Sequence, residues 1–302
     1  SLEVAQIART IARNLGLHED LVETIALAHD LGHTPFGHAG QETLNQCMQG
    51  HGGFEHNLQS LRVVDELEHK YAAFRGLNLS FEAREGILKH CSKANARQLG
   101  DLGQRFLQRS QPSAEAQLAN LADEIAYNNH DIDDGLRAGL LNWSELCEVS
   151  LFGRFALQAR DECGEVSSRQ LRHETIRRII NHLVTDLREE SSRRLADLGP
   201  QSCDDIRAAD APVIAYSDAA GRESRELKKH LHENLYNHYQ VLRSTRKAQS
   251  VLRDLFEIYI NEAKLLQPEV RAAAETYGLH RAVADYLAGM TDRYALDEHE
   301  RL

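Results

Sequence analysis

The chain predicts an all-α fold, and three features of the sequence carry that expectation. Apolar residues recur at three- and four-residue intervals along most of its length, the spacing that gives a helix one apolar face. Capping residues stand where those periodic runs begin or end. No segment shows the strict alternation, bounded by turn residues, that marks paired strands.

The elements follow in order. Leu2, Val4, Ile7, Ala8, Ile11, Ala12 and Leu15 mark one face of a first helix, closed by Gly16. Asp20 is placed to cap a second, which carries Leu21, Val22, Ile25, Ala26 and Ala28 into His29. A third follows the turn Gly52-Gly53-Phe54, with Leu58, Leu61, Val64 and Leu67 apolar. A fourth is expected over 81–92 and a fifth from Ser113 to about Leu141. Later helices are expected over 169–190, 224–235, 245–264 and 279–290. The stretch 199–221, with Pro200 and Pro212, reads as a long loop. The expected division is a catalytic core over 1–145 and a C-terminal helical extension over 146–302, packed on that core; one continuous unit is the alternative.

Composition narrows the class. At 302 residues the chain can bury a sizeable core, and 27% charged with 42% hydrophobic residues is an ordinary globular balance. No apolar run approaches the ~20 residues that a membrane helix needs. The chain opens inside an amphipathic pattern, so no secretory signal is expected. Five scattered cysteines without a CxxC spacing point to a reducing cytoplasm, not to a disulfide framework or zinc knuckle. A net charge of −11 argues against a surface that attracts nucleic acid as a whole. Arginine far outnumbers lysine; phosphate recognition and a GC-rich genome both produce that bias.

The chemistry gathers in the run His29-Asp30-Leu31-Gly32-His33-Thr34-Pro35-Phe36-Gly37-His38. Five of the 16 histidines fall between His29 and His56. Imidazoles at that density, beside a carboxylate, are costly to bury without a chemical reason. The segment reads as a metal-bearing catalytic loop with nitrogen and oxygen ligands. A second element is Asp123, in a helix where residues 123, 127, 130, 131 and 134 share one stripe. Leu118, Leu121, Ala122, Ile125 and Ile132 form the neighbouring apolar stripe. A solvated acidic face would look similar, although Tyr127 and His130 interrupt the acids.

His29-Asp30 followed far downstream by Asp123 resembles the HD superfamily of metal-dependent phosphohydrolases, whose pattern is H…HD…D on a helical bundle. The blocks HDLGHTPFGHAG at 29–40, GGFEHNLQSLRV at 52–63, ADEIAYNNHDIDDGL at 122–136 and DYLAGMTDRYA at 285–295 resemble the deoxynucleoside triphosphate triphosphohydrolases, in particular the bacterial dGTPase-like group. They keep the family's order along nearly the whole chain. The resemblance implies an HD-domain helical bundle with a C-terminal helical extension.

It also implies roles. His29, Asp30 and Asp123 would be metal ligands, and the mixed set suits Mn, Mg, Co, Ni, Fe or Zn without choosing among them. The family's first metal histidine would fall immediately before Ser1, so the chain is expected to be the ordered portion of a longer protein. His38 would be the proton-transfer residue near the scissile phosphate, suited to it because imidazole titrates near neutral pH. His33 and His56 would contact phosphate or complete the acid–base network; packing histidines of a loop are the plainer alternative. Tyr127 would stack against the sugar and Asp131 would accept from its 3′-hydroxyl; a core tyrosine and a surface aspartate are the alternative there. Gln41 stands where the family often has a carboxylate and is grouped with the substrate-binding residues. The partner of His38 stays open, with Glu42 adjacent. The block holding Asp285 and Tyr294 is expected to support the core or an oligomer contact.

The implied activity is hydrolysis of a deoxynucleoside triphosphate at the α-phosphorus, giving deoxynucleoside and tripolyphosphate. The alternatives are another HD phosphohydrolase (a 5′-nucleotidase or phosphodiesterase) or a non-catalytic nucleotide-binding regulator. Implied partners are the dNTP substrate, further copies of the chain as a dimer or hexamer, and single-stranded nucleic acid as an effector, with no membrane.

Overall fold

The Ile7, Ala8, Ile11 and Ala12 stripe is buried in a first helix, Leu2–Leu15, within a computed structural model that describes residues 1–302. Gly16 ends this helix in the left-handed region (φ 69°), its N–H returning to the Ala12 carbonyl. All regular elements are helical and no strand is present. No helix is long and apolar enough to cross a membrane.

The chain folds into two compact units that interleave in sequence. The first comprises Ser1–Leu27, Phe81–Gly86 and Ser92–Val241; the second comprises Ala28–Ser80, Ile87–Cys91 and Leu242–Leu302. The sequence predicts a boundary near residue 145 or one continuous unit; these contact-defined units interleave along the chain.

In the first unit the helix Ala114–Arg137 is the centre, packed by Leu2–Leu15, Ser168–Leu198 and Asp218–Leu231. Ser113 caps it, its hydroxyl accepting from the Ala116 N–H. Leu118, Ala122, Ile125 and Ile132 are fully buried, joined by Ile11, Phe152, Leu183 and Leu227 in one core. Burying such side chains contributes about 1.5–3 kcal/mol each, which fixes the rotation of the central helix and so which stripe it leaves accessible.

In the second unit Leu44 and Met48 bury the helix Gly37–Cys47 against Leu255, Phe256, Tyr259 and Leu287. The helix His56–Arg62 runs on into a single π turn, Val63–Leu67. Arg62 is bound there by Asp285, at 2.8 Å from Nη2 and 2.9 Å from Nε, and Gln59 donates to the same carboxylate at 3.0 Å. The Asp285 block therefore supports the core.

Several boundaries differ from the expectation. The second helix starts at Glu19, so Asp20 lies inside its first turn, where a carboxylate still favours the helix dipole. The fourth stops at Ile87, and the helix expected over 169–190 runs from Ser168 to Leu198. The expected loop 199–221 contains a short helix, Cys203–Arg207, closed by a Ser202–Asp205 capping box.

Candidate active site

The helix Glu19–Ala28 delivers His29 and Asp30 at its C-terminal end. His29 is fully buried, and its Nε2 lies 3.0 Å from Asp30 Oδ2. The chain then turns tightly, the His33 N–H reaching the Asp30 carbonyl at 3.0 Å. Gly32 is required by close approach: a Cβ there would stand 2.1 Å from the Ser60 backbone nitrogen and 2.3 Å from the His56 carbonyl oxygen. The turn is thus laid directly on the backbone of the helix His56–Arg62. Phe36 follows in the left-handed region (φ 62°), unusual for a bulky residue.

The second unit brings three predicted histidines together. The His33 ring centroid lies 4.7 Å from that of His56 and 5.8 Å from that of His38, and His38 lies 6.3 Å from His56. His33 Nε2 is 3.7 Å from Asp30 Oδ1. Burial pushes the His33 and His56 imidazoles below the usual histidine range, against the opposing pull of Asp30 on His33 and Glu55 on His56. Both therefore favour the neutral form. His38 is exposed at the start of Gly37–Cys47.

Gln41 sits against His56 rather than apart from it. Its Oε1 accepts from the His56 backbone N–H at 3.2 Å and from His56 Nδ1. Two donors converging on one atom fix the amide orientation and the tautomer, leaving His56 Nε2 with its lone pair outward. Glu55 begins the helix, its carboxylate accepting from the Asn57 and Leu58 N–H groups at 3.1 Å.

In the first unit Asp123, Tyr127 and Asp131 are half-buried along the stripe of Ala114–Arg137. His130 turns away to pair with Glu3, and Asp134 is exposed. Two neighbours were not anticipated. Lys228 Nζ stands 5.7 Å from the Tyr127 ring centroid and 3.2 Å from Glu124. The Tyr236 hydroxyl donates to Asp131. Burial raises the Tyr127 and Asp131 pKa values, the latter against the hydrogen bond from Tyr236. No local spacing announces these partners: Tyr236 lies 105 residues from Asp131 and Lys228 lies 104 from Glu124.

Within the second unit His29 and Asp30 offer an imidazole nitrogen and a carboxylate oxygen, and Asp123 of the first unit is a carboxylate of the same hard-donor kind. The chemistry of the donors fits a divalent first-row metal or magnesium, with no thiolate to favour a softer ion.

Comparison with known proteins shows the family to which the chain belongs. The HD domain pattern matches residues 1–128, and a phosphohydrolase-associated domain matches residues 214–301. The chain is 58% identical over 306 residues to a deoxyguanosinetriphosphate triphosphohydrolase-like protein of Bordetella pertussis, covering 100% of this chain and 79% of that protein. Similar proteins of the same description occur in Thiobacillus denitrificans (57% identity, 100% of this chain, 80% of the relative) and Azoarcus sp. (54%, 100% and 79%). An HD domain and similarity of this degree across the whole of this chain make it a phosphohydrolase by family. It belongs to the HD-domain family of deoxyguanosinetriphosphate triphosphohydrolase-like proteins.

Proposed function

We propose that the chain hydrolyses a deoxynucleoside triphosphate to deoxynucleoside and tripolyphosphate, with water attacking the α-phosphorus. The observation that carries this reading is the gathering of His33, His38 and His56 beside Asp30, all ring centroids within 6.3 Å of one another. Three imidazoles of which two are held neutral suit proton transfer around a phosphate.

His29, Asp30 and Asp123 would hold the divalent cation. Such a cation, when bound, supplies Lewis acidity toward a phosphoryl oxygen. His38, the exposed member of the cluster, delivers the proton that the departing 5′-oxygen needs. His33 contacts phosphate oxygens, while His56, its Nδ1–H held by Gln41, turns its Nε2 lone pair outward as a proton acceptor in the acid–base network. Tyr127 presses its ring against the 2′ carbon of the sugar, while Asp131, steadied by Tyr236, accepts from the 3′-hydroxyl. The Lys228 ammonium offsets phosphate charge.

Product analysis on dGTP tests the proposal. Tripolyphosphate with deoxyguanosine supports it, whereas dGDP with orthophosphate, dGMP with pyrophosphate, or no turnover with any divalent metal overturns it.

A further inference from the structure

The turn that bears His29 and Asp30 is gripped on both sides by one buried hydroxyl. Ser60 is fully buried on the helix His56–Arg62. Its Oγ donates to the His29 carbonyl oxygen at 2.7 Å and accepts from the Gly32 N–H at 2.9 Å. The first bond holds the peptide that joins His29 to Asp30, the plane from which both side chains project. The second holds the turn two residues beyond Asp30. The missing Cβ of Gly32 lets the turn lie flat on the helix, where a methyl group would meet the Ser60 nitrogen at 2.1 Å.

From this geometry we infer that Ser60 is a positioning residue for the metal-binding turn, acting through the His29-Asp30 peptide and touching neither metal nor substrate. The inference rests on the proposal that His29 and Asp30 are metal ligands. Without the hydroxyl, a buried carbonyl and a buried N–H lose their common partner. The turn then rotates to find others, and the imidazole and carboxylate leave the geometry that one cation requires. Groups that orient ligands in this way typically control affinity by about 10–100-fold.

A matched control exists within the same chain. Ser191 is also fully buried, and its Oγ likewise bridges backbone, accepting from the Ala215 N–H at 3.1 Å and donating to the Ala215 carbonyl at 3.5 Å. Ser191→Ala removes a longer pair of backbone bonds far from the His29-Asp30 turn in sequence, and so reports the structural cost of deleting a buried bridging hydroxyl.

The experiment is equilibrium Mn²⁺ binding to the folded proteins, followed by the spin-resonance signal of free Mn²⁺ with no substrate present. Ser60→Ala should weaken binding by about 10–100-fold, Ser60→Thr should recover most of that loss, and Ser191→Ala should bind as the unaltered chain does. If Ser60→Ala does not fold, Ser60→Cys takes its place, since it keeps the volume and surrenders most of the hydrogen-bond strength. Unchanged Mn²⁺ affinity in a folded Ser60 variant overturns the role of Ser60 while leaving the metal site standing. Equal losses in Ser60→Ala and Ser191→Ala also overturn it. Failure of the unaltered chain to bind Mn²⁺, Mg²⁺ or Co²⁺ overturns the metal site itself, a separate result.

Discussion

Asp292 accepts a hydrogen bond from the Phe36 backbone N–H at 2.9 Å, tying the first turn of the last helix to the loop between Asp30 and His38. Phe36 occupies the left-handed region there, a conformation that persists only where its surroundings enforce it. Removing the carboxylate in Asp292→Ala costs about 1 kcal/mol of local stability, the usual net value of one such bond. Amide exchange over residues 33–38 should then quicken by about 5-fold, while Asp292→Asn, which keeps an acceptor, should restore protection. Equal exchange in all three proteins would show that packing alone holds Phe36.

Stability should depend on pH through His33 and His56. Both imidazoles are lowered in the folded protein, chiefly by burial. Between the lowered values and the ordinary value of about 6.5, the unfolded chain binds more protons than the folded one. Their contribution is therefore complete above that ordinary value and is lost as pH falls through it toward the folded values. Melting of the metal-free protein at pH 7.5 and pH 5.5 measures the effect. His33→Gln with His56→Gln should shrink the difference, and an undiminished difference would assign it to other groups.

His38 separates chemistry from binding. His38→Ala should lower kcat by about 10²–10⁴-fold while metal content and substrate affinity are largely kept. A variant with normal kcat and a raised KM would move His38 to phosphate contact.

Tyr127 and Asp131 lie one helical turn apart on the accessible stripe of Ala114–Arg137. Tyr127→Ala should raise the ratio of kcat/KM on GTP to that on dGTP by about 10-fold or more, since the ring wall that excludes a 2′-hydroxyl is gone. Asp131→Asn should slow both substrates together by weakening the contact to the 3′-hydroxyl. An unchanged ratio in Tyr127→Ala would make Tyr127 a packing residue only.

Much of this was legible in the sequence because it is local. The face from Val4 to Ala12, the Gly16 terminus and the helix opening at Ser113 each follow from local spacing, and all three stand. The helix Gly37–Cys47 escaped notice because it opens after a left-handed Phe36 with glycines and no side-chain cap. What stabilises it is Leu44 and Met48 packed on Leu255 and Leu287, more than two hundred residues downstream. Ser168–Leu198 outran its expected end because its core-facing series continues through buried Ser191 to Leu195, which packs on the core, with Glu190 pairing to Arg193 and Arg194 at 2.7 Å on the other side. The functional residues showed the same division. His29, Asp30, His33 and His38 announce themselves by density within one short run. The grip of Ser60, the Gln41 contact on His56 and the approach of Lys228 and Tyr236 to the Asp123 stripe are products of tertiary packing, which no spacing rule encodes.

The central claim is that His29, Asp30 and Asp123 hold the cation for attack by water at the α-phosphorus of a deoxynucleoside triphosphate. Turnover of dGTP in ¹⁸O-labelled water, with mass analysis of both products, tests it most directly. The account predicts unlabelled deoxyguanosine and tripolyphosphate carrying one ¹⁸O, with neither formed by Asp30→Ala or Asp123→Ala, which should also lose bound divalent metal while keeping their helical content. Labelled orthophosphate beside dGDP, labelled deoxyguanosine, or undiminished turnover without Asp30 would contradict it.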